Sequence, residues 1–275
     1  MGNVGITLST SDPAGANLLA TFRDMGFEET GRNDVLRLSD IHLFVVEPFI
    51  VPEERFNTPS EPNPYPLDYD SLAKAYGIDY YVVASRHWAK SGKPSLTVHP
   101  PGNFGKAMYG GRPRELQRTV AKPMRDVFLE LISDPPKGFA VSLEATHHSP
   151  TQFETPMFFA EVGSREIQWR DEAVGRYLAE AIVNGIKAGG DAPVAIGFGG
   201  GHYCPTFTVM EEEIAFGHMA AKYAIDLLTP ELTSQMVDCT LDGVDRVVLD
   251  KGLKGHQRKR VEVAVKKLDL EINGL

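Results

Sequence analysis

Histidine titrates nearest neutrality, and its neutral imidazole is also a metal ligand. Two of the eight histidines are adjacent, His147 and His148 in ATHHSPT (145–151). On a continuing strand such neighbours point to opposite faces. Both rings converge if the chain turns there, and Ser149-Pro150 favours a turn. Neutral imidazoles suit zinc, and a catalytic zinc needs three protein ligands and an open position. His202 offers one further donor, and Glu144 or Glu161 another. No HExxH or CxxC spacing is present, so a metal site has to be assembled from distant segments. Taken alone, a histidine pair is more often one packed, hydrogen-bonded ring and one exposed ring.

The second segment with chemical character is GFGGGHYCP (197–205), three consecutive glycines after an apolar run. Glycines there let the backbone approach a ligand or turn with positive φ, and their amides can hold an oxyanion or a phosphate. The spacing is neither GxGxxG nor GxxxxGK[ST]. A plain tight turn explains the glycines too, but His202 directly after them favours function. Two further clusters, SRHWAKSGK (85–93) and TVHPPGNFGKAMYGGRPR (97–114), interleave basic residues with Trp88, Phe104 and Tyr109. That mixture suits single-stranded RNA, where phosphates meet cations and bases stack on rings; a basic glycine-rich loop is the simpler alternative.

These residues need a scaffold. VGITLS (4–9) reads as a strand, and Asp12-Pro13 as a helix start with Asp at the N-cap. IHLFVVE (41–47), DYYVVASRH (79–87), SLTVHPPGN (95–103), GFAVSLEATHH (138–148), TPMFFAEVGS (155–164) and APVAIGFGGGHY (192–203) read as strands. Helical spacing runs through 114–133, 171–189 and 215–228, and RKRVEVAVKKL (258–268) makes a basic amphipathic helix. Six prolines between Pro48 and Pro66 predict a surface loop. Strands alternating with helices imply an α/β fold with a mostly parallel sheet flanked by helices. In such sheets ligands gather at the carboxyl ends of strands. Four predicted strands end there in polar clusters: Ser85 to His87, His99 with Asn103, Glu144 to His148, and Gly199 to Tyr203. Met157-Phe158-Phe159, Trp169 and Tyr177 are expected in the core, and Cys204 as a small packing residue.

Bulk composition bounds the rest. At 275 residues with 42% hydrophobic residues, one compact domain over 1–275 is expected, carrying the proline-rich loop at 48–66 and a basic C-terminal helix near 255–268. No apolar stretch approaches the roughly 18 residues of a membrane span, and no leader is evident. Two cysteines argue against a disulfide framework and point to the cytoplasm. The net charge of −9 conceals an asymmetry. Residues 86–125 hold nine Lys/Arg against Glu115 alone, and residues 251–267 hold seven against Glu262 alone. Two concentrated basic segments on an acidic body can form a phosphate-binding face, though solvated loop and helix faces look the same in sequence.

The segments SRH (85–87), LTVHPPGN (96–103), EATHHSPT (144–151), FAEVGS (159–164), GGGHY (199–203) and FGH (216–218) resemble, in order and approximate spacing, the archaeal and plant-type D-aminoacyl-tRNA deacylases. The likeness covers nearly the whole chain. Ser149 stands where that family usually has Gly, and Pro101 where it usually has Thr. The resemblance implies a fold like the peptidyl-tRNA hydrolase and nucleoside phosphorylase group, a zinc cofactor, and release of free D-amino acid and tRNA by zinc-activated water. With that cofactor, metal ligands are expected among His147, His148, His202 and Glu161, with Glu144 a further candidate, and catalysis by Glu144, His148 and His202. Substrate contacts would come from His87, His99, Asn103, Gly199, Gly200, Gly201 and Tyr203. The tRNA would lie on Lys106, Arg112, Arg114, Arg118, Lys251, Lys254 and Arg258. A monomer without DNA or membrane partners is expected. The alternative is a metal-independent, phosphorylase-like or nucleoside-binding enzyme that uses the glycine loop for phosphate.

Overall fold

The computed structural model describes residues 2–46, 67–266, 268 and 270–274, so the proline-rich segment 48–66 lies outside them. The centre of the larger sheet is parallel: β4 (Ile41–Val46), β1 (Asn3–Ser9), β5 (Ile78–Trp88) and β10 (Met157–Ser164), in that order. On one side β3 (Arg32–Leu38) and β2 (Glu28–Thr30) add antiparallel strands. On the other, β6 (Ser95–His99) pairs antiparallel with β10, and β9 (Ala140–Leu143) pairs in parallel with β6. A second sheet is wholly parallel, ordered β12 (Ala215–Ala220), β11 (Val194–Phe198), β13 (Arg246–Leu249) and β14 (Glu271–Gly274). A short ribbon joins β7 (Gly102–Asn103) to β8 (Glu115–Leu116). The α/β architecture with mostly parallel pairing is thus present, divided between two sheets.

Local chemistry explains the helices that hold the larger sheet. Helix α1 (Pro13–Asp24) starts where the Asp12 carboxylate accepts the Ala14 amide at 3.0 Å, with Pro13 in the first turn. Helix α2 (Tyr69–Tyr76) begins on Asp68, which accepts the Ser71 amide, and ends on Gly77 at φ +66°. Helix α3 (Ala121–Ser133) and the short α4 (Glu166–Trp169) follow. Helix α5 (Glu172–Ala188) is capped by Asp171 and terminated by Gly189 at φ +63°. Alternation along the strands separates two cores. On one face Val82, Ala84, Phe158, Ala160 and Val162 pack with α1, α3 and α5. On the other, Tyr81, Val83, Met157 and Phe159 pack with Tyr69 of α2 and with Phe153. With α6 (Pro205–Met210) following β11, the second sheet buries Ile196, Phe198, Val247 and Leu249 beneath α7 (Pro230–Asp238) and α8 (Gly255–Val265).

Three sequence expectations are corrected. Residues 114–120 are not helical. Arg114 is left-handed at φ +59°, and the Thr119 amide and carbonyl bond Cys239 and Leu241, an isolated parallel bridge to Thr240 that holds the chain extended. Residues 215–220 form β12 rather than a helix, because each is buried and the segment pairs in parallel with β11. The strand expected over 138–148 stops at Leu143, which leaves Glu144 to His148 free to wrap. Among the described residues no helix is long and apolar enough to cross a membrane.

Candidate active site

The wrap after β9 runs beside the turn after β6. The Gly102 amide donates to the carbonyls of His147 and His148, and Pro101 bridges to His147. Gly102 has φ +153°, and a Cβ there would meet Leu116 and Thr146 at 2.9 Å, so only glycine permits this approach. The other side of the wrap is held by the second sheet: the Ala145 amide donates to the His202 carbonyl at 2.7 Å and the Thr146 amide to Met219 at 3.0 Å. His148 sits at φ +48°, and that turn brings both rings of the pair to one side, their centroids 4.4 Å apart. The two sheets therefore meet at Glu144–His148.

Seven ligand-type side chains converge at this junction. His99 ends β6, Glu161 comes from mid-β10, His87 lies near the end of β5, and His202 comes from the loop after β11. Their nitrogens and oxygens form three overlapping groups: His99 with His147 and His148; Glu144 with His147 and His202; and His87 with Glu144 and Glu161. Glu144 is the hub. Its oxygens lie 3.2 Å from His87 Nδ1, 3.7 Å from His202 Nε2, and 3.8 Å from both His99 Nε2 and His147 Nε2. Glu161 Oε1 accepts the Ser85 hydroxyl at 2.6 Å, and its Oε2 faces His87 and His99 at 3.6 and 3.7 Å. Phe159 floors the cluster, stacked against His99 at 5.0 Å with an interplanar angle of 3°. Because Phe159 lies directly opposite His99 across the β6–β10 ladder, that stacking is built into the register.

The hydrogen bonds orient the rings for ligation. Nδ1 of His147 donates to the Ala145 carbonyl at 2.8 Å, and Nδ1 of His148 to Ser149 at 2.6 Å. His99 Nδ1 faces the Pro100 carbonyl at 3.3 Å and His202 Nδ1 the Tyr223 hydroxyl at 3.1 Å. An imidazole whose Nδ1–H is committed to an oxygen presents a lone pair at Nε2. Burial, reinforced by neighbouring histidines, drives the His147 pKa well below its ordinary value. Burial and His99 bring His148 and His202 each to about 4, so all three are neutral at pH 7. The carboxylates diverge. Burial, then the charge of Glu161, pushes Glu144 well above the usual carboxylate range. Burial acts in the same direction on Glu161, but the imidazoles of His87 and His99 outweigh it and hold that group below the range.

A metal cation fits these residues. His99 Nε2 and both oxygens of Glu144 are buried without a hydrogen-bond partner among the described residues, in a protein interior where such atoms are rarely left alone. Unprotonated imidazole nitrogens beside orphaned carboxylate oxygens are what a divalent cation satisfies.

Residues 75–273 match the family model for D-aminoacyl-tRNA deacylase. A D-aminoacyl-tRNA deacylase of Thermococcus kodakarensis is 36% identical over 214 residues, covering 74% of this chain and 78% of that protein. Another, from Archaeoglobus fulgidus, is 32% identical over 272 residues, covering 96% and 90%. The chain belongs to the D-aminoacyl-tRNA deacylase family. Its fold also matches a solved crystal structure of a conserved protein of unknown function, with a TM-score of 0.87 at 27% identity, covering 99% of this chain and 95% of the other.

Within this deacylase fold, the four residues expected as ligands spread over the three groups. His148 sits with His99, His202 with Glu144, and Glu161 with His87, while His147 joins the first two groups. His87 accepts a hydrogen bond at Nε2 from the Tyr203 hydroxyl at 3.0 Å, so Tyr203 reaches the cluster from the glycine loop. Asn103 is placed differently: its amide donates to Gly110 and Arg112 carbonyls and ties the loop 103–112. Gly199 and Gly200 are left-handed. Gly200, Gly201, His202 and Tyr203 have backbone amides without a partner among the described residues. Of the basic residues, Arg112 is paired with Glu115 at 3.2 Å and Arg118 with Glu154 at 2.6 Å. Arg114 donates to the Leu227 carbonyl and the Thr229 hydroxyl, while Arg260 of α8 donates to Asp226 and Leu228. The two basic segments therefore meet on 226–229. Lys106, Lys251 and Lys254 are exposed and Arg258 half-buried. Sequence reasoning missed His99 as a potential ligand, Phe159 as the floor and Tyr223 as the partner of His202.

Proposed function

We propose that the cluster hydrolyses the ester of a D-aminoacyl-tRNA, and that zinc occupies the group His99, His147 and His148. The observation that carries this reading is the set of orphaned donor atoms, His99 Nε2 and both Glu144 oxygens, inside a ring of neutral imidazoles. Bound zinc supplies Lewis acidity for acyl-ester hydrolysis. Glu144, whose oxygens lie among these imidazoles, is the group positioned to accept the proton of the attacking water once a bound cation holds it as the carboxylate. Glu161, held ionised, orients His87 through Nδ1, and His87 in turn holds the Tyr203 hydroxyl at the mouth of the site. The amides of Gly200 to Tyr203, without a partner among the described residues, suit the oxyanion that develops on the ester carbonyl. Membership of the family supports an aminoacylated tRNA as substrate. The meeting of the two basic segments at 226–229 supports a phosphate-binding face, with Lys106, Arg114, Lys251, Lys254 and Arg258 contributing.

The test is turnover of D-tyrosyl-tRNA before and after exhaustive chelation, with L-tyrosyl-tRNA as control. Loss of activity on chelation and recovery with stoichiometric zinc are expected. Full activity in metal-free protein excludes the zinc assignment, and equal turnover of the L-ester excludes the chirality of the substrate.

A further inference from the structure

Trp88 is the last residue of β5, directly after His87, and 63% of its surface is exposed. Successive strand residues point to opposite faces. His87 accordingly faces the histidine cluster, while Trp88 and Arg86 face the α4 side, with the Arg86 guanidinium 5.3 Å from the centre of the Trp169 ring. The Trp88 ring is held from one side. The guanidinium of Arg165, the residue preceding α4, lies 5.2 Å from its centre. Arg165 is itself fixed by donating to the Ala89 carbonyl, to Ser164 at 2.9 Å and to Lys90 at 2.9 Å. The indole is thus pre-oriented, with most of its surface open to solvent.

Its surroundings are cationic. Arg86, Lys90, Lys93 and Arg165 form no ion pair among the described residues, and the stretch 85–95 contains no acidic residue. Asp12 faces Arg86 but is occupied by the amides of Ala14 and Arg86, and Glu166 is paired with Arg170 at 2.8 Å. An exposed ring stacked on a guanidinium amid uncompensated cations matches a nucleobase flanked by phosphates.

Resting on the deacylase reading above, we propose that Trp88 and Arg165 form a stacking platform for an unpaired base of the tRNA acceptor end, the nucleotide on the 5′ side of the aminoacylated terminal nucleoside. The terminal ribose must lie at the cluster that His87 faces. Its 5′ neighbour is then the base that reaches round the end of β5 to the opposite face. Lys90 and Lys93 lie where they can meet its phosphates.

Kinetics on two substrates test this: D-tyrosyl-tRNA, and D-tyrosyl-adenosine, which lacks every upstream nucleotide. With the tRNA, Trp88→Ala raises KM roughly 5- to 150-fold, the range for loss of one base–aromatic stack. kcat is retained and Trp88→Phe recovers most of the loss. With D-tyrosyl-adenosine all three proteins perform alike. An equal loss on both substrates makes Trp88 a structural residue of the site, and no loss on either removes the contact; each overturns the platform. Binding is read separately by the intrinsic fluorescence of the wild-type protein with a CCA trinucleotide. Saturable quenching that weakens with salt and disappears in Trp88→Phe supports the platform, and absence of quenching overturns it. Should the protein leave D-tyrosyl-tRNA intact, the deacylase reading fails, while the trinucleotide titration still decides the platform.

Discussion

Replacing Glu144 by Gln has opposite effects on stability with and without metal. Both oxygens of Glu144 are buried without a hydrogen-bond partner among the described residues, and burial together with Glu161 raises its pKa well above the unfolded value near 4.5. For an acid whose folded pKa is raised, the folded state keeps a proton that the unfolded chain has lost. Stability therefore falls as pH rises from 4.5 toward the folded pKa, by about 1.4 kcal/mol for each pH unit over which the proton is held. Glutamine is isosteric and carries no such dependence. In the metal-free protein the variant should gain on the wild type as pH rises above 4.5, by about 1.4 kcal/mol over the first full pH unit, which for a domain of this size is roughly 3–6 °C in Tm.

Zinc reverses the order. A ligand at a hundred times its Kd stabilises by about 2.7 kcal/mol, and the site that loses a carboxylate from its hub binds the cation less tightly. The assay is a thermal melt of both proteins at several pH values, with chelator and with zinc. If the chelated proteins keep a constant Tm difference as pH rises from 4.5 to 7, Glu144 ionises as it does in the unfolded chain and the reasoning is refuted. If zinc raises both Tm values equally, Glu144 does not face the cation.

Much of the scaffold was legible because its signals are local. Asp12-Pro13, and Asp171 with Gly189, mark helix ends through hydrogen bonds made within one turn, and they lie where the sequence places them. The segment 215–220 was misread because AFGHMA is buried on every residue, and a wholly buried strand shows neither period. The site divides in the same way. The histidine-bearing strand ends identify the junction, but His99 ends β6 and Glu144 directly follows β9, two strands that run antiparallel to β5 and β10. They therefore meet Glu161 halfway along its strand instead of at a shared carboxyl edge. The available signal was alternation: Ser85 and His87 share one face of β5, and Phe159, Glu161 and Gly163 share the matching face of β10. What no local pattern contains is the cross-strand register that sets Phe159 opposite His99 and Gly163 opposite His87.

That register makes Gly163 a positioning residue: a Cβ there would lie 2.7 Å from His87 Cδ2, so Gly163→Ala must displace the imidazole. A displacement near 1 Å lowers kcat on D-tyrosyl-tRNA by about 100-fold, and unchanged kcat refutes the assignment. His218, in contrast, is a histidine of the family-like FGH segment that belongs to the scaffold. Its Nε2 donates to the Gln117 carbonyl at 2.9 Å, and the Thr146 hydroxyl, which accepts the Met219 amide, donates to its Nδ1 at 3.1 Å. This arrangement requires the neutral ring, and burial lowers its pKa from 6.5 to about 4. For a base with a depressed folded pKa the unfolded chain binds the extra proton, so stability falls as pH drops through 6.5 and levels off below 4. The full difference amounts to about 3 kcal/mol. Urea unfolding from pH 7 to 4 should show the wild type losing that much more stability than His218→Gln. Parallel curves for the two proteins mean that the ring takes up its proton without disturbing Thr146, and that His147 is anchored by the backbone bonds of its wrap alone.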